Sequence, residues 1–333
     1  MFKKSNHRLF FEFFMSLLIV PGVLLCIFPE EGPFFRWWEA HTLLVMLGLL
    51  AIGLAFFFIN FPRLTLLSFA GCAALCLLLD ERTNAPLRHA DSNTDQQLRI
   101  GQFSMSNAPH LDEVQLSAIL STASDLISIQ NVRPEQITAL TNFFTCCGYP
   151  YFECVVDSAR QSALGVYSRY AFDFVRGINF PQAPGIVGKV QVPGRELHSF
   201  YFFNAHFYGD NTTDVYEQNR ENLHVFAQEL NRIRAPLLVF GDYQMVSWAK
   251  DIQSFRNTAN LRDSRRGMTP TTPHGYVSLF DHPFDHIFYS DHFKCISFET
   301  ISSAATLHLG IVGTYEFATQ DKQNDVKQTA QEF

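Results

Sequence analysis

The stretch that decides the fold is Leu237 to Trp248, LLVFGDYQMVSW. Leu237 to Phe240 is a short, wholly apolar run and reads as a buried strand. It ends at Gly241-Asp242, so a carboxylate stands at the strand's end. Just before it, Tyr216 to Ile233 places Leu223, Phe226 and Leu230 at helical spacing. A helix feeding a buried strand is the unit of an α/β sheet. The alternation extends outward in both directions. Strands are predicted at 98–103, 126–130, 151–157, 163–168, 186–192, 198–207, 285–289 and 308–317. Helices are predicted at 111–123 and 135–147, the second stopped by Gly148 as a C-cap. These elements define one α/β domain over 98–317.

The 333 residues carry 25 basic and 32 acidic side chains, a net charge of −7. Only 17% are charged, against about 25% in an average chain. With 47% hydrophobic residues, intrinsic disorder is excluded. From Leu98 onward there are 18 basic and 24 acidic residues, a net −6. That balance argues against nucleic acid as a partner, because phosphate-backbone binding needs a basic surface.

The mean hydropathy of +0.02 comes from the N-terminus. Residues 1–80 hold 13 of the 34 Phe. Three apolar runs, 9–28, 42–61 and 64–79, predict three transmembrane helices. The third is the shortest. Glu12 alone interrupts the first, four residues from Arg8, where it would lie near the headgroups. Lys3, Lys4 and Arg8 precede the first run, and Arg63 stands in the link before the third. The loop 29–40 is acidic apart from Arg36. The positive-inside rule then puts the N-terminus in the cytoplasm and the large domain outside. Trp37 and Trp38 fall where an interfacial aromatic belt would lie. Residues 81–97 are polar and aperiodic and read as a linker, and 318–333 as a polar tail. Of seven cysteines, none forms a C-x-x-C pair, which speaks against a zinc site. Cys146, Cys147, Cys154 and Cys295 lie in the domain, and buried free thiols are the expectation for them.

Several polar pieces stand at predicted strand ends: Ser168-Arg169-Tyr170, Asn204-Ala205-His206, Gly241-Asp242-Tyr243-Gln244, Asp285-His286 and His308. Imidazoles, carboxylates and amides together can grip a phosphate and activate water. Their order resembles the endonuclease/exonuclease/phosphatase superfamily, which includes deoxyribonuclease-like and sphingomyelinase-like phosphodiesterases. The resemblance also takes in Asp125 to Asn131, DLISIQN, and Trp248. Three preceding spans look like a bacterial inner-membrane branch of it, with a periplasmic domain. The resemblance implies a four-layer sandwich of two β-sheets flanked by helices. It implies His206, Asp242 and His308 as catalytic positions, and Asn204, Gln244 and Tyr170 as substrate-binding ones. Asn131 and Asp242 stand at the positions for the metal, Mg or Mn if the domain is active.

Four positions depart from the family pattern. Ser104 stands where the first strand carries Asn, and Asn131 replaces the metal-binding Glu. Gln244 replaces the Asn of G-D-x-N, and Leu307 replaces the Asp of S-D-H. A hard divalent cation wants charged oxygen ligands, and two carboxylates are gone. The sequence therefore predicts a membrane-anchored pseudoenzyme, without a cofactor, that acts in binding or complex assembly. Two other functions remain open. One is an active Mg- or Mn-dependent phosphoesterase on a lipid or small phosphodiester, with a nuclease disfavoured. The other is a subunit that joins other membrane proteins through small residues such as Gly48, Gly53 and Gly71.

Overall fold

In a computed structural model of the chain, residues 2–30, 32–83, 89–92, 97–105, 110–180, 183–193, 198–209, 213–266, 284–303 and 306–318 are described. The N-terminal region holds α1 (Phe2–Ile27), α2 (Pro33–Ala40), α3 (Thr42–Phe58) and α4 (Pro62–Arg82). Among the described residues two helices are long and apolar enough to cross a membrane, His7–Ile27 and Pro62–Arg82. A third span exists if α2 and α3, bent by 66° at their junction, count as one.

The lengths reverse the sequence expectation. The third run is a full helix of 21 residues, because Asp80, Glu81 and Arg82 continue it past the apolar window. The second run, expected over 42–61, stops at Phe58, where Asn60 turns the chain with φ 63°. Glu12 is held at this end of the helices, 3.2 Å from Arg8 and 3.6 Å from Arg63. Small residues are used inside the chain. Gly53 lies against Phe69 and Ser68, and Gly71 against Val23 and Leu49, while Gly48 faces open space.

The domain begins with β1 (Leu98–Ser104), α5 (Glu113–Ser121), β2 (Leu126–Val132), α6 (Ile137–Cys146), β3 (Tyr151–Asp157), β4 (Ser162–Ser168), β5 (Phe172–Phe180), β6 (Ala183–Val192) and β7 (His198–His206). It continues through α7 (Thr213–Leu230), β8 (Leu237–Asp242), α8 (Lys250–Ala259), β9 (Arg262–Asp263), β10 (Asp285–Tyr289), β11 (Phe293–Ser303) and β12 (Thr306–Phe317). Two six-stranded mixed sheets form, in orders β11-β12-β1-β2-β4-β3 and β5-β6-β7-β8-β10-β9. Their inner faces share one apolar core, including Ile100, Val166, Phe202, Leu238 and Phe240. The outer faces are covered separately. Leu116, Leu140 and Phe144 of α5 and α6 pack on the first sheet, and Leu223, Phe226 and Phe255 of α7 and α8 on the second.

β8 shows why its sequence reads as a continuous apolar run. Leu238 and Phe240 face the inner core while Leu237 and Val239 face the helices. A strand covered on both sides has no polar alternation. β5, β9, β11 and α8 have no counterpart among the predicted elements.

Within the expected linker 81–97, Arg82 ends α4, and Ala90 and Ser92 are hydrogen-bonded to the domain. The Ala90 N–H donates to the Cys295 carbonyl at 2.9 Å and the Ser92 hydroxyl to Glu316 at 2.7 Å. The predicted tail lies outside the described residues after Ala318. The seven cysteines are unpaired, and Cys146 and Cys147 are exposed rather than buried.

Candidate functional site

Strand register brings the polar pieces to one end of the sandwich. Ala205 pairs with Gly241 and His206 with Asp242 in parallel, and Asp242 pairs with Asp285 antiparallel. In the facing sheet Ser104 pairs with Gln130 at the ends of β1 and β2. The β7–β8 approach needs a glycine. Gly241 has φ +152°, and a Cβ there would come within 1.9 Å of the Ala205 carbonyl oxygen.

Between the sheets runs a seam of buried polar side chains. Asn204 donates to Gln102 Oε1 at 3.1 Å and to the Phe240 carbonyl at 2.9 Å, and accepts from Ser128 at 3.1 Å. Gln130 donates to the Ala205 carbonyl at 3.1 Å, and its Oε1 lies 3.1 Å from His206 Nδ1. Burial pushes the His206 imidazole down to about 4, helped by the Arg160 charge and opposed by Asp285 and Asp157. His206 is therefore a neutral ring at physiological pH.

Asp242 ends β8, and its own loop satisfies it. One carboxylate oxygen accepts the Gln244 N–H at 2.8 Å, the other the Gln244 side-chain amide at 2.7 Å. Gln244 adopts a left-handed conformation, φ 53°. Its amide oxygen rests where a Cβ on Gly209 would sit. The same loop is gripped by α2. Arg36 donates to the Gln244 carbonyl. The Trp248 indole N–H donates to the Glu39 carbonyl at 2.8 Å, and the Lys250 N–H to the Glu39 carboxylate at 2.8 Å. His286 Nε2 holds the Met245 carbonyl at 2.8 Å from the other side.

A model of the endonuclease/exonuclease/phosphatase family matches residues 101–306. The chain belongs to the endonuclease/exonuclease/phosphatase family. No curated protein sequence matches it significantly. Among solved structures, an endonuclease/exonuclease/phosphatase from Beutenbergia cavernae superposes with TM-score 0.54 at 18% identity, covering 67% of this chain and 72% of that one. The human Nocturnin catalytic domain, solved with a bound sulfate anion, gives 0.54 at 15% identity over 67% and 94%. D. rerio TDP2, complexed with a single strand DNA product, gives 0.52 at 16% identity over 67% and 100%. At such identities the likeness is one of fold.

Enzymes of this family are typically divalent-metal dependent, and the described residues at this end do not supply a charged ligand set for such a cation. Both oxygens of Asp242 already receive N–H groups from Gln244. Asn131, in the bulge between Ile129 and Val132 of the β2–β4 pairing, offers an amide in place of a carboxylate. Among the described residues no three His, Cys, Asp or Glu side chains converge as ligands.

The structure brings Asn204, His206, Asp242, Gln244, Ser104 and Asn131 to one end. Leu307 and His308 open β12 beside β1, but their side chains lie outside the described residues. Tyr170 goes elsewhere. Its hydroxyl donates to Asp125 at 3.1 Å, at the start of β2 and the opposite end of the sheet. β4 runs antiparallel to β2, so the end of Ser168-Arg169-Tyr170 lies by the beginning of DLISIQN.

Other residues at the mouth are ones the sequence did not single out. Tyr208 meets His206 edge-on at 5.0 Å, and Arg160 stacks over Tyr208 at 4.3 Å. Arg160 is set by the Asp157 turn, whose carboxylate accepts the Ala159 and Arg160 N–H groups at 3.0 and 3.2 Å. Arg36 is the most distant in sequence, and no local pattern points to it.

Proposed function

We propose that this chain is a membrane-anchored pseudoenzyme whose domain keeps the phosphodiesterase scaffold and works in binding or complex assembly. The observation that carries the reading is the closed state of Asp242, with both oxygens bonded to Gln244. The replacements at Asn131 and Leu307 support it, since each removes a carboxylate from the ligand positions. His206, Asp242 and His308 remain as family positions, with Asn204 and Gln244 available to a ligand. Two to three apolar helices support membrane anchoring, which the family resemblance would put in a bacterial inner membrane. The basic flanks at Lys3, Lys4, Arg8 and Arg63 support a cytoplasmic N-terminus and a periplasmic domain.

The test is hydrolysis of a generic aryl phosphodiester by the full chain with Mg²⁺ or Mn²⁺. We expect no metal-dependent turnover. Turnover abolished by Asp242→Ala would overturn the reading in favour of an active phosphoesterase on a lipid or small phosphodiester. The double variant Asn131→Glu with Leu307→Asp is expected to gain metal-dependent turnover if those two positions hold the defect.

A further inference from the structure

Asp242 and Asp285 are direct cross-strand partners, only 8% and 4% exposed. Two carboxylates so placed, away from water, repel one another and need a counter-charge. In a metal-dependent relative a divalent cation would supply it. Here two guanidinium groups converge on the pair. Arg265, 2% exposed, follows β9. It donates to the Asp285 carbonyl at 3.1 Å, and its charge is shared between the Asp263 carboxylate first and the Asp285 carboxylate second. Arg36 comes from α2, outside the family domain. It donates to the Gln244 carbonyl, lies over the Tyr216 ring at 5.3 Å, and attracts the carboxylates of Asp251, Glu39 and Asp242. Glu39 has a second cation in Arg82 at 3.5 Å.

We infer that Arg36 and Arg265 are fixed replacements for the cation, so that the site end is electrostatically complete only when α2 is docked on it. The inference rests on the pseudoenzyme reading and adds a positioning residue to it. Arg36 acts through the Gln244 carbonyl and through its charge on Asp242. It also explains the position of α2, whose Phe34 and Trp37 point outward and are exposed, while Arg36 and Glu39 face the domain. An eight-residue helix with one apolar and one charged face suits a place between bilayer and domain.

The experiment is thermal unfolding of the full chain in mild detergent, with and without millimolar Mn²⁺, against KCl at equal ionic strength. Wild type is expected to show no shift with Mn²⁺. Arg36→Ala is expected to lose roughly 5 °C or more and to regain part of it with Mn²⁺. Arg36→Lys should behave as wild type. The double variant Arg36→Ala with Asp242→Asn should melt above Arg36→Ala, because the uncompensated charge is gone. If wild type itself is stabilised by Mn²⁺, the inference fails. If Arg36→Ala melts lower with neither Mn²⁺ response nor rescue by Asp242→Asn, Arg36 is only a docking contact and the inference also fails. If Arg36→Ala does not fold and the double variant does, charge compensation is supported. If neither folds, it is rejected. Hydrolysis by wild type would sink the pseudoenzyme reading separately, whatever the melting curves show.

Discussion

The two ends of the sandwich carry carboxylates in different settings. At the far end Asp125 accepts the Arg99 N–H at 2.8 Å and the Tyr170 hydroxyl at 3.1 Å, with Arg169 at 4.0 Å. Partners from two segments converge on it, as on any structural carboxylate. At the mouth Asp242 sits where a family enzyme would keep a carboxylate open to a cation, yet its own loop closes on it. The mouth is thus finished in the same manner as the structural end. On the pseudoenzyme reading, the described groups at this end differ from a metal site both in the carboxylates absent and in the partners Asp242 has acquired.

The largest expected break in this comparison is in the seam behind the mouth. Asn204 is fully buried and makes three hydrogen bonds. Asn204→Leu leaves Gln102, Ser128 and the Phe240 carbonyl short of partners inside the protein. Each such group costs about 1–3 kcal/mol, so we expect a loss of about 4 kcal/mol, measured by denaturant unfolding in detergent. A loss below about 1 kcal/mol would mean that the seam is wet and not structural.

Next comes the pH dependence of His206. Its folded value is about 4 against an ordinary 6.5, so between these values the unfolded chain binds a proton that the folded chain refuses. His206's contribution is whole above pH 6.5 and is lost as pH falls toward 4. The loss is about 3 kcal/mol at the acid end, at about 1.4 kcal/mol per pH unit. His206→Gln should flatten stability across this window, and an unchanged slope would move the titration to another group.

A smaller effect is expected at the far end. Tyr170→Phe removes one hydroxyl from Asp125 and leaves the Arg99 N–H in place, a change of about 1 kcal/mol. The pH dependence set by His206 at the mouth should be unaffected. Any change there would contradict the separation of the two ends.

How much of this was legible follows from distance along the chain. Strand ends can be read locally, because an apolar run that stops at Asp242 or His206 marks its own boundary. Register then gathers those ends without further information. Tyr170 was readable as a motif residue but not as a location, since that depends on β4 running antiparallel to β2. The span lengths erred because an apolar window is not a helix. Asp80 to Arg82 extend one helix beyond its window, and Asn60 ends another within its window. α2 was hidden for a third reason. The segment PFFRWWEA reads as an acidic loop with aromatic anchors, and the partner of Arg36 lies 208 positions away.

The smallest perturbation addresses the closure of Asp242 most directly. Gly209 lies against the Gln244 amide, and a Cβ there would come within 2.2 Å of Gln244 Oε1. The clash is with the far end of a flexible side chain, so the backbone can stay and the amide must move. Gly209→Ala gains about 0.4–1 kcal/mol by restricting the unfolded chain. It forfeits about as much if the amide leaves Asp242, so stability should change by less than about 1 kcal/mol. The informative signal is the Gln244 side-chain amide in a ¹⁵N-resolved spectrum of the full chain. In wild type it should be shifted and slow to exchange, bonded to Asp242. In Gly209→Ala it should move to the position of a solvated amide while the Gln244 backbone N–H keeps its bond. If the side-chain resonance does not move, the amide is held by more than Asp242, and the closed mouth is stiffer than these two hydrogen bonds make it.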